Sequence, residues 1–382
     1  MGFEVLLVVG IDAVGIARFP RLLHDAGCRV TLLAPPGLAV ARSRYVASHV
    51  ATAVEPETLA GQLEAFLAER KSDFHHIIIG DEPTLTAVAR HRGEAWLDGW
   101  FPVDHRGDAV EVILSKSAFQ QAAGAAGLTI PKSEICTGFA EVEAAVRAMG
   151  YPVMLKSPYG CSGSGVRKVA DEAELKAAFE LLYEGNGVML VQQFVDGRVG
   201  SSDVLFDRGA PVCWQSWNSR LCWPTPLASS CAREAMSHRD IGLMLTGVGA
   251  LSGFHGFAGV DWMHDAERDR VYLIEFNPRP TPTYHLDAHS RVSFAGSFRA
   301  MLEGTCGAGC RERLPEACGA VIHLFPQSLY RAVSERELNS FLRCWSDAPW
   351  SDPLLMAAYL RRVFTHFLPL RWRQAVKRLL RR

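Results

Sequence analysis

Residues 1–382 predict an α/β fold that gives way to an α+β fold: an N-terminal parallel α/β domain, a longer mixed region and a C-terminal extension. Three observations carry that prediction. An apolar run leads straight into a glycine turn, strands and a helix alternate through the first hundred residues, and near residue 104 the texture changes to helices and short hairpins. Phe3-Glu-Val-Leu-Leu-Val-Val-Gly10 has the continuous hydrophobicity of a strand covered on both faces, and Gly10-Ile-Asp-Ala-Val-Gly15 turns it toward a helix. Cys28 to Leu33 and His75 to Gly80 read as further strands with a helix over Glu57 to Arg70 between them, the alternation of a parallel sheet. The Gly10 and Gly15 pair lacks the third glycine of a dinucleotide fingerprint, so this turn reads as structural.

Beyond residue 104 the elements follow one another more tightly. A helical segment from Lys116 runs into Gly127-Leu-Thr-Ile-Pro131. Two strands with a glycine-rich hairpin cover 153–169, a helix covers Asp171 to Tyr183, and Val188 to Val195 is another strand. Gly197 to Asn218 reads as a hairpin and Ser237 to Gly249 as a helix. Phe257 to Trp262 and Val271 to Phe276 form a second hairpin across Asp265-Ala-Glu-Arg-Asp269. After residue 300 the pattern weakens to a short strand, Gly319 to Phe325, and helices beyond Ser334.

Composition fits a multidomain globular chain, with 48% hydrophobic residues and enough length for two or three cores. No run of 18 apolar residues is present, and Met1-Gly2-Phe3-Glu4 lacks the basic start of a signal peptide, so a cytoplasmic location is expected. The ten cysteines include no CxxC pair and read as reduced, mostly buried thiols. Residues 354–382 hold eight Lys or Arg and no acid, which leaves 32 basic and 41 acidic residues, a net −9, on the remainder. An acidic body argues against nucleic acid as a partner.

The chemistry concentrates in two stretches. Val271-Tyr-Leu-Ile-Glu275-Phe-Asn277-Pro-Arg279 is a hydrophobic strand in which Glu275 and Asn277, two apart, project from one face and can reach one cation. Mg²⁺ takes oxygen ligands of this kind, usually one or two side chains with phosphate oxygens and waters, and Arg279 would sit over the same phosphates. An ordinary strand ending in a Pro-Arg-Pro turn is the plain alternative. Upstream, Val153-Met-Leu-Lys156 precedes a loop containing Gly160, Ser162, Gly163, Ser164 and Gly165, whose amides could approach phosphate oxygens while the lysine supplies a point charge. Because the lysine comes before the glycines, this is not the GxxxxGK[ST] loop.

The order of these elements resembles the ATP-grasp superfamily. The resemblance rests on Lys116 before the Gly-Leu-Thr-Ile-Pro step, Lys156 before the glycine loop, Gln192-Gln193-Phe194-Val195, Asp261, and Glu275-Phe-Asn277-Pro-Arg279, and it spans roughly residues 1–300. It implies a Rossmann-like domain at 1–108, a grasp domain at 109–300 with a small lobe over 109–190 and a large lobe over 191–300, and an extension at 301–382. By that resemblance Lys116 and Lys156 bind ATP phosphates, the glycine loop closes over them, and Gln192 to Val195 hold adenine. Asp261, Glu275 and Asn277 would hold Mg²⁺ or Mn²⁺. Two positions depart from the family pattern. Gln192 stands where glutamate is common, and the acid that touches the ribose falls at Gly200 or Ser201, with Asp196 as a substitute.

The implied activity is ATP-dependent ligation of a small-molecule carboxylate to an amine through an acyl phosphate, with release of ADP and phosphate. Arg220, at the end of a predicted hairpin, and Arg279 are the candidate catalytic cations. His285 and Arg291 lie beyond the metal strand, where His285 is expected to be structural. The alternatives are a bicarbonate-using carboxylase or carbamoyl-phosphate type, and a non-catalytic ATP-binding module. The mixture of Phe, Trp, Leu and Arg in the tail is that of an interfacial helix lying on anionic lipid at the inner face of a membrane, or of a basic helix packed on the acidic body. No residue pattern selects an acid, an amine or an oligomeric state.

Overall fold

The computed structural model describes residues 2–12, 15–157, 165–183, 187–226, 228–306 and 321–367. A parallel four-stranded sheet is laid down first. Its strands are β1 (Phe3–Val8), β2 (Cys28–Ala34), β3 (Val46–Ala51) and β4 (His76–Ile79), in the order β3-β2-β1-β4. Leu6, Leu7 and Val8 are fully buried because the crossover helices α1 (Phe19–Asp25) and α2 (Pro56–Arg70), with α3 (Glu82–Ala89) after the last strand, cover the sheet. The expected turn at Gly10 is braced by Asp81, which accepts from the Gly10 N–H and also caps α3 through the Thr84 N–H.

Helices α4 (Ala109–Leu114) and α5 (Lys116–Ala125) lead into the small lobe, with Ser115 capping α5. That lobe is an antiparallel sheet of β5 (Ser133–Cys136), β6 (Val153–Lys156), β7 (Val166–Val169) and β8 (Met189–Gln193), ordered β5-β8-β6-β7, with α6 (Phe139–Met149) and α7 (Glu172–Leu182) on one face. Its core is separate from the rest, drawn from residues between Cys136 and Val191 such as Val142, Leu155 and Leu175. The predicted hairpin at 153–169 is present as β6 and β7, closed by a bond from the Ser157 N–H to the Gly165 carbonyl.

The large lobe is a six-stranded sheet. Its strands are β9 (Arg198–Asp207), β10 (Ala210–Cys222), β11 (Ser230–Ala235), β12 (Gly256–Asp265), β13 (Arg270–Asn277) and β14 (Val321–His323), in the order β13-β12-β9-β10-β11-β14. Helix α8 (Arg239–Ser252) packs on one face and ends at Gly253 in the left-handed region, as a helix stop requires. After β13 come α9 (Asp287–Ser290) and α10 (Phe294–Leu302). The extension then supplies α11 (Gln327–Glu335), α12 (Leu338–Arg343) and α13 (Pro353–Phe367) around the edge strand β14. Its helices also reach back: Asp352 accepts from Ser43 Oγ at 2.6 Å, and Arg362 bonds Asp12 at 3.1 Å.

Candidate functional site

Register alone assembles most of the site. Antiparallel partners point to the same side of a sheet, and Glu275 on β13 pairs with Asp261 on β12, which pairs with Ser201 on β9. The adjacent row is Asn277, Gly259 and Asp203. A bulge between Asp261 and Trp262 breaks the ladder and leaves the Ile274 carbonyl to accept from Gln120 Nε2 at 2.6 Å. That bond hangs α5 on the hairpin, Phe119 stacks on Phe276, and Lys116 at the start of α5 places its Nζ 3.1 Å from Glu275 Oε1.

Two like charges side by side need a counter-charge. Asp261 keeps some contact with the cleft, but it sits deep enough that burial, with Glu275 beside it, pushes its carboxyl up to about 6. Asn277 Nδ2 donates to Asp261 at 3.1 Å and Arg279 donates to Asn277 Oδ1 at 3.3 Å. Lys156, on β6 of the small lobe, is shifted the other way: burial lowers its ammonium to about 8 against the opposing pull of Glu275. Asp261, Glu275 and Asn277 together present the oxygen donors a hard divalent cation takes, and the raised Asp261 marks a carboxylate whose own surroundings do not neutralise it.

The structure places the other predicted residues as follows. Lys156 and Gln192 share a face of the small-lobe sheet, since Lys156 pairs with Leu190 and Met154 with Gln192. Gln192 is buried and donates to Ser133 Oγ at 2.9 Å. Gln193 ends β8, and Lys168 lies 3.9 Å over the Phe194 ring, with Val195 following at the lobe boundary. Gly160, Ser162, Gly163 and Ser164 lie outside the described residues. Arg220 sits at a bulge in β10, 3.5 Å from Glu234 of β11. Gly200 pairs with Trp262 on the face opposite Asp261, where an added Cβ would lie 2.1 Å from the indole, and Ser201 takes a bond from Arg233. Neither position carries a ribose acid. His285 joins Arg18 and Asp347 in the domain junction, in keeping with its structural reading.

Two residues near the site escaped the sequence reading. Glu82, at the first turn of α3, pairs with Arg279 at 3.0 Å and so brings the N-terminal domain to the end of β13. Arg233 lies on β11, a strand whose Ser-Cys-Ala-Arg-Glu-Ala sequence lacks apolar alternation and gave no strand signal. Asp203 anchors the segment after β13 by accepting from Thr281, Thr283 and Gln215, and Gly259 is needed there because a Cβ would lie 2.2 Å from Thr281.

A family model described as an ATP-grasp domain matches residues 115–283, the span that contains Lys116, Lys156, Asp261, Glu275 and Asn277. Residues 115–283 are an ATP-grasp domain. Among curated relatives, the D-alanine--D-alanine ligase of Xanthomonas axonopodis pv. citri is 26% identical over 169 residues, which is 42% of this chain and 53% of that protein. The chain thus spans about half the length of the curated relatives it matches. In fold, it resembles N5-carboxyaminoimidazole synthetase of Staphylococcus aureus in complex with ADP, with a TM-score of 0.63 at 14% identity over 80% of this chain and 78% of that one. L-amino acid ligase of Bacillus licheniformis gives a TM-score of 0.59 at 17% identity, over 79% and 75%. The ATP-grasp fold expected from the sequence, with its preceding parallel α/β domain, is therefore present.

Proposed function

We propose that this ATP-grasp protein is an ATP-dependent carboxylate-amine ligase that forms an amide or peptide bond through an acyl phosphate. The observation that carries the proposal is the cross-strand pair Asp261 and Glu275, flanked by Lys116 and by a Lys156 whose charge burial disfavours more than the neighbouring acids favour it. A charge cluster of both signs, in which Asp261 and Lys156 are displaced toward neutrality, suits a polyphosphate with its cation. The curated sequence relatives, named D-alanine--D-alanine ligases, favour an amine acceptor over the bicarbonate-using reading, which rests on fold likeness alone.

In the proposed reaction a carboxylate oxygen attacks the γ-phosphorus of ATP, the bond to the bridging oxygen breaks, and ADP leaves with the electron pair. The amine nitrogen then attacks the acyl carbon, the bond to the phosphate oxygen breaks, and the nitrogen's proton passes to solvent. Positioning and charge neutralisation supply most of the catalysis in such transfers. Lys116 and Lys156 would hold the phosphates, residues 192–195 the adenine, and Arg279 and Arg220 the transferring group. Asp261, Glu275 and Asn277 would hold magnesium or manganese, which neutralises charge on the phosphate oxygens.

The test is ADP and phosphate release with Mg-ATP against amino acids and other carboxylates, singly and in pairs. Release that needs both a carboxylate and an amine, with the condensed product seen by mass spectrometry, supports the ligase. ATP binding without turnover moves the non-catalytic module ahead. Glu275→Gln should abolish release while sparing the fold.

A cytoplasmic enzyme with peripheral contact to the inner face of a membrane is the second part of the proposal. Its support is the basic tail together with a clustering of apolar surface: among the described residues, nine of the fifteen exposed large hydrophobic side chains fall between Val333 and Phe367, including Leu338, Trp350 and Phe364. No helix among the described residues is long and apolar enough to cross a membrane. Tail residues 368–382 lie outside the described residues. Pelleting with anionic vesicles at low salt tests the contact, and failure to pellet dismisses it.

A further inference from the structure

A second cluster of ligating side chains lies on the back of the large-lobe sheet, away from the cleft. Side chains alternate along β12, so His264 projects from the same face as Trp262 and from the face opposite Asp261. Helix α8 packs on that back face, and His238, the residue that caps α8, meets His264 there with ring centroids 5.3 Å apart. Asp269 completes the group from the turn between β12 and β13: its Oδ1 lies 3.1 Å from His238 Nε2 and 4.0 Å from His264 Nε2. The turn itself is fixed by the buried Asp265, which accepts from the N–H groups of Glu267 and Arg268.

His264 Nε2 singles this cluster out. It is buried and has no hydrogen-bond partner among the described residues, Asp269 Oδ1 being beyond bonding reach. A ring nitrogen out of contact with water costs free energy unless something completes it. Donors held by one zinc ion at about 2.0–2.1 Å lie about 3.3 Å from one another. The three donor atoms here all lie within 4.8 Å of one another, so small side-chain movements close them on one ion. Two imidazole nitrogens and a carboxylate oxygen suit zinc, nickel or iron(II), whereas magnesium takes oxygen ligands. An acceptor for the remaining ring proton is also in place. His238 Nδ1 accepts from the Asp240 N–H at 3.1 Å and has Asp240 Oδ2 3.8 Å away; a metal at Nε2 moves the proton to Nδ1, which can then turn to that carboxylate. The comparable group of Glu64, His91 and Glu94 lacks such an orphaned nitrogen, and Glu94 already accepts from Trp96 and pairs with His91.

We propose that His238, His264 and Asp269 bind one divalent transition metal of the zinc type, with a fourth position open to solvent beside the exposed Asp269. The ion clamps the first turn of α8 to the turn between β12 and β13. It also stands behind the lobe junction, because His264 pairs with Arg198 at the start of β9 and a Cβ on Gly197 would lie 2.5 Å from the His264 carbonyl. This site is separate from the magnesium expected in the cleft and does not depend on the ligase reading.

Cobalt(II) is the probe, titrated into the full chain in a large excess of Mg-ADP, with the absorption spectrum read at each step. Wild type is expected to take up one cobalt ion per chain, with the visible bands of a four-coordinate nitrogen and oxygen site and without the charge-transfer band of a thiolate ligand. His264→Gln should weaken that uptake at least about 100-fold, and Asp269→Asn roughly 10- to 100-fold. Asparagine tolerates the positive φ of 49° at that turn, so the second variant keeps the fold, and its metal-free Tm should match that of wild type. Cobalt should raise the Tm of wild type and not that of His264→Gln. The proposal is overturned if wild type takes up no cobalt under these conditions, if either variant binds it as tightly as wild type, or if the thiolate band accompanies uptake, which would assign the ion to cysteines. Uptake lost in both variants, with no acid and amine pair turning over, would keep the metal site and remove the ligase.

Discussion

Two aspartates of this molecule, one buried and one half-buried, meet opposite fates. Asp347, in the extension, is buried, yet its carboxyl lies below the ordinary range. Burial pushes it up, but His285 at 2.9 Å, Arg18 at 3.0 Å and the Phe325 N–H at 2.8 Å more than reverse that push. Burial and the adjacent Arg18 keep the imidazole of His285 below its usual value, so the lasting charge opposite Asp347 is the guanidinium. Asp261 has a carboxamide and a second carboxylate for company and is pushed up to about 6. One cluster is completed by the protein and ties three segments of chain together. The other is left incomplete, as expected of a place where a ligand supplies what is missing.

The sharpest way to break this contrast is Asp347→Ala. It strands Arg18 and His285 in the junction and should cost about 3–5 kcal/mol of stability by urea denaturation. A cost within the error of the measurement would mean the junction is no better satisfied than the site.

At the site the sign should invert. The folded pKa of Asp261, about 6, exceeds the ordinary 3.8, so this group loses stability as pH rises from about 4 to 6, and its cost is complete above that window. Asp261→Asn should therefore stabilise the ligand-free protein by about 2 kcal/mol at pH 7, allowing for partial solvent contact, and by nothing near pH 3.5. Destabilisation at neutral pH would show that the carboxylate is held rather than tolerated.

Lys156 sharpens the same point with a ligand. Its ammonium deprotonates near 8 instead of 10.5, so ATP affinity should fall on the order of tenfold between pH 7.5 and 9, and Lys156→Met should show weak, pH-independent binding. A flat wild-type profile would detach this lysine from the nucleotide. The smallest effect belongs to Arg220→Ala, whose pairing with Glu234 at a substantially exposed position should be worth less than about 1 kcal/mol of stability. If turnover nevertheless drops by two orders of magnitude, the role of Arg220 is catalytic.

Local chemistry explains what could be read in advance. Strand β1, the 153–169 hairpin, the 256–277 hairpin and the five ordered motifs all signal through short-range patterns, and those patterns carried the fold class and the pairing of Asp261 with Glu275. Residues that matter only through long-range register were invisible. Glu82 meets Arg279 across nearly two hundred positions, and Arg233 lies on a strand with adjacent charges and no alternation, three strands from Asp261 in the sheet. The bulge beside Glu275 was equally silent, because nothing in Leu-Ile-Glu-Phe distinguishes a regular ladder from an interrupted one.

That bulge has a kinetic consequence. By handing the Ile274 carbonyl to Gln120, it makes the helix bearing Lys116 part of the same mechanical body as the hairpin bearing Asp261 and Glu275. Lys156 belongs to a lobe with its own small core. Amide hydrogen exchange would then report two cooperative units, with α5 exchanging alongside β13 and at a different rate from β6 and β8. Nucleotide release would be gated by opening of the small lobe alone, with Lys116 and the acidic pair standing still as a prearranged half-site.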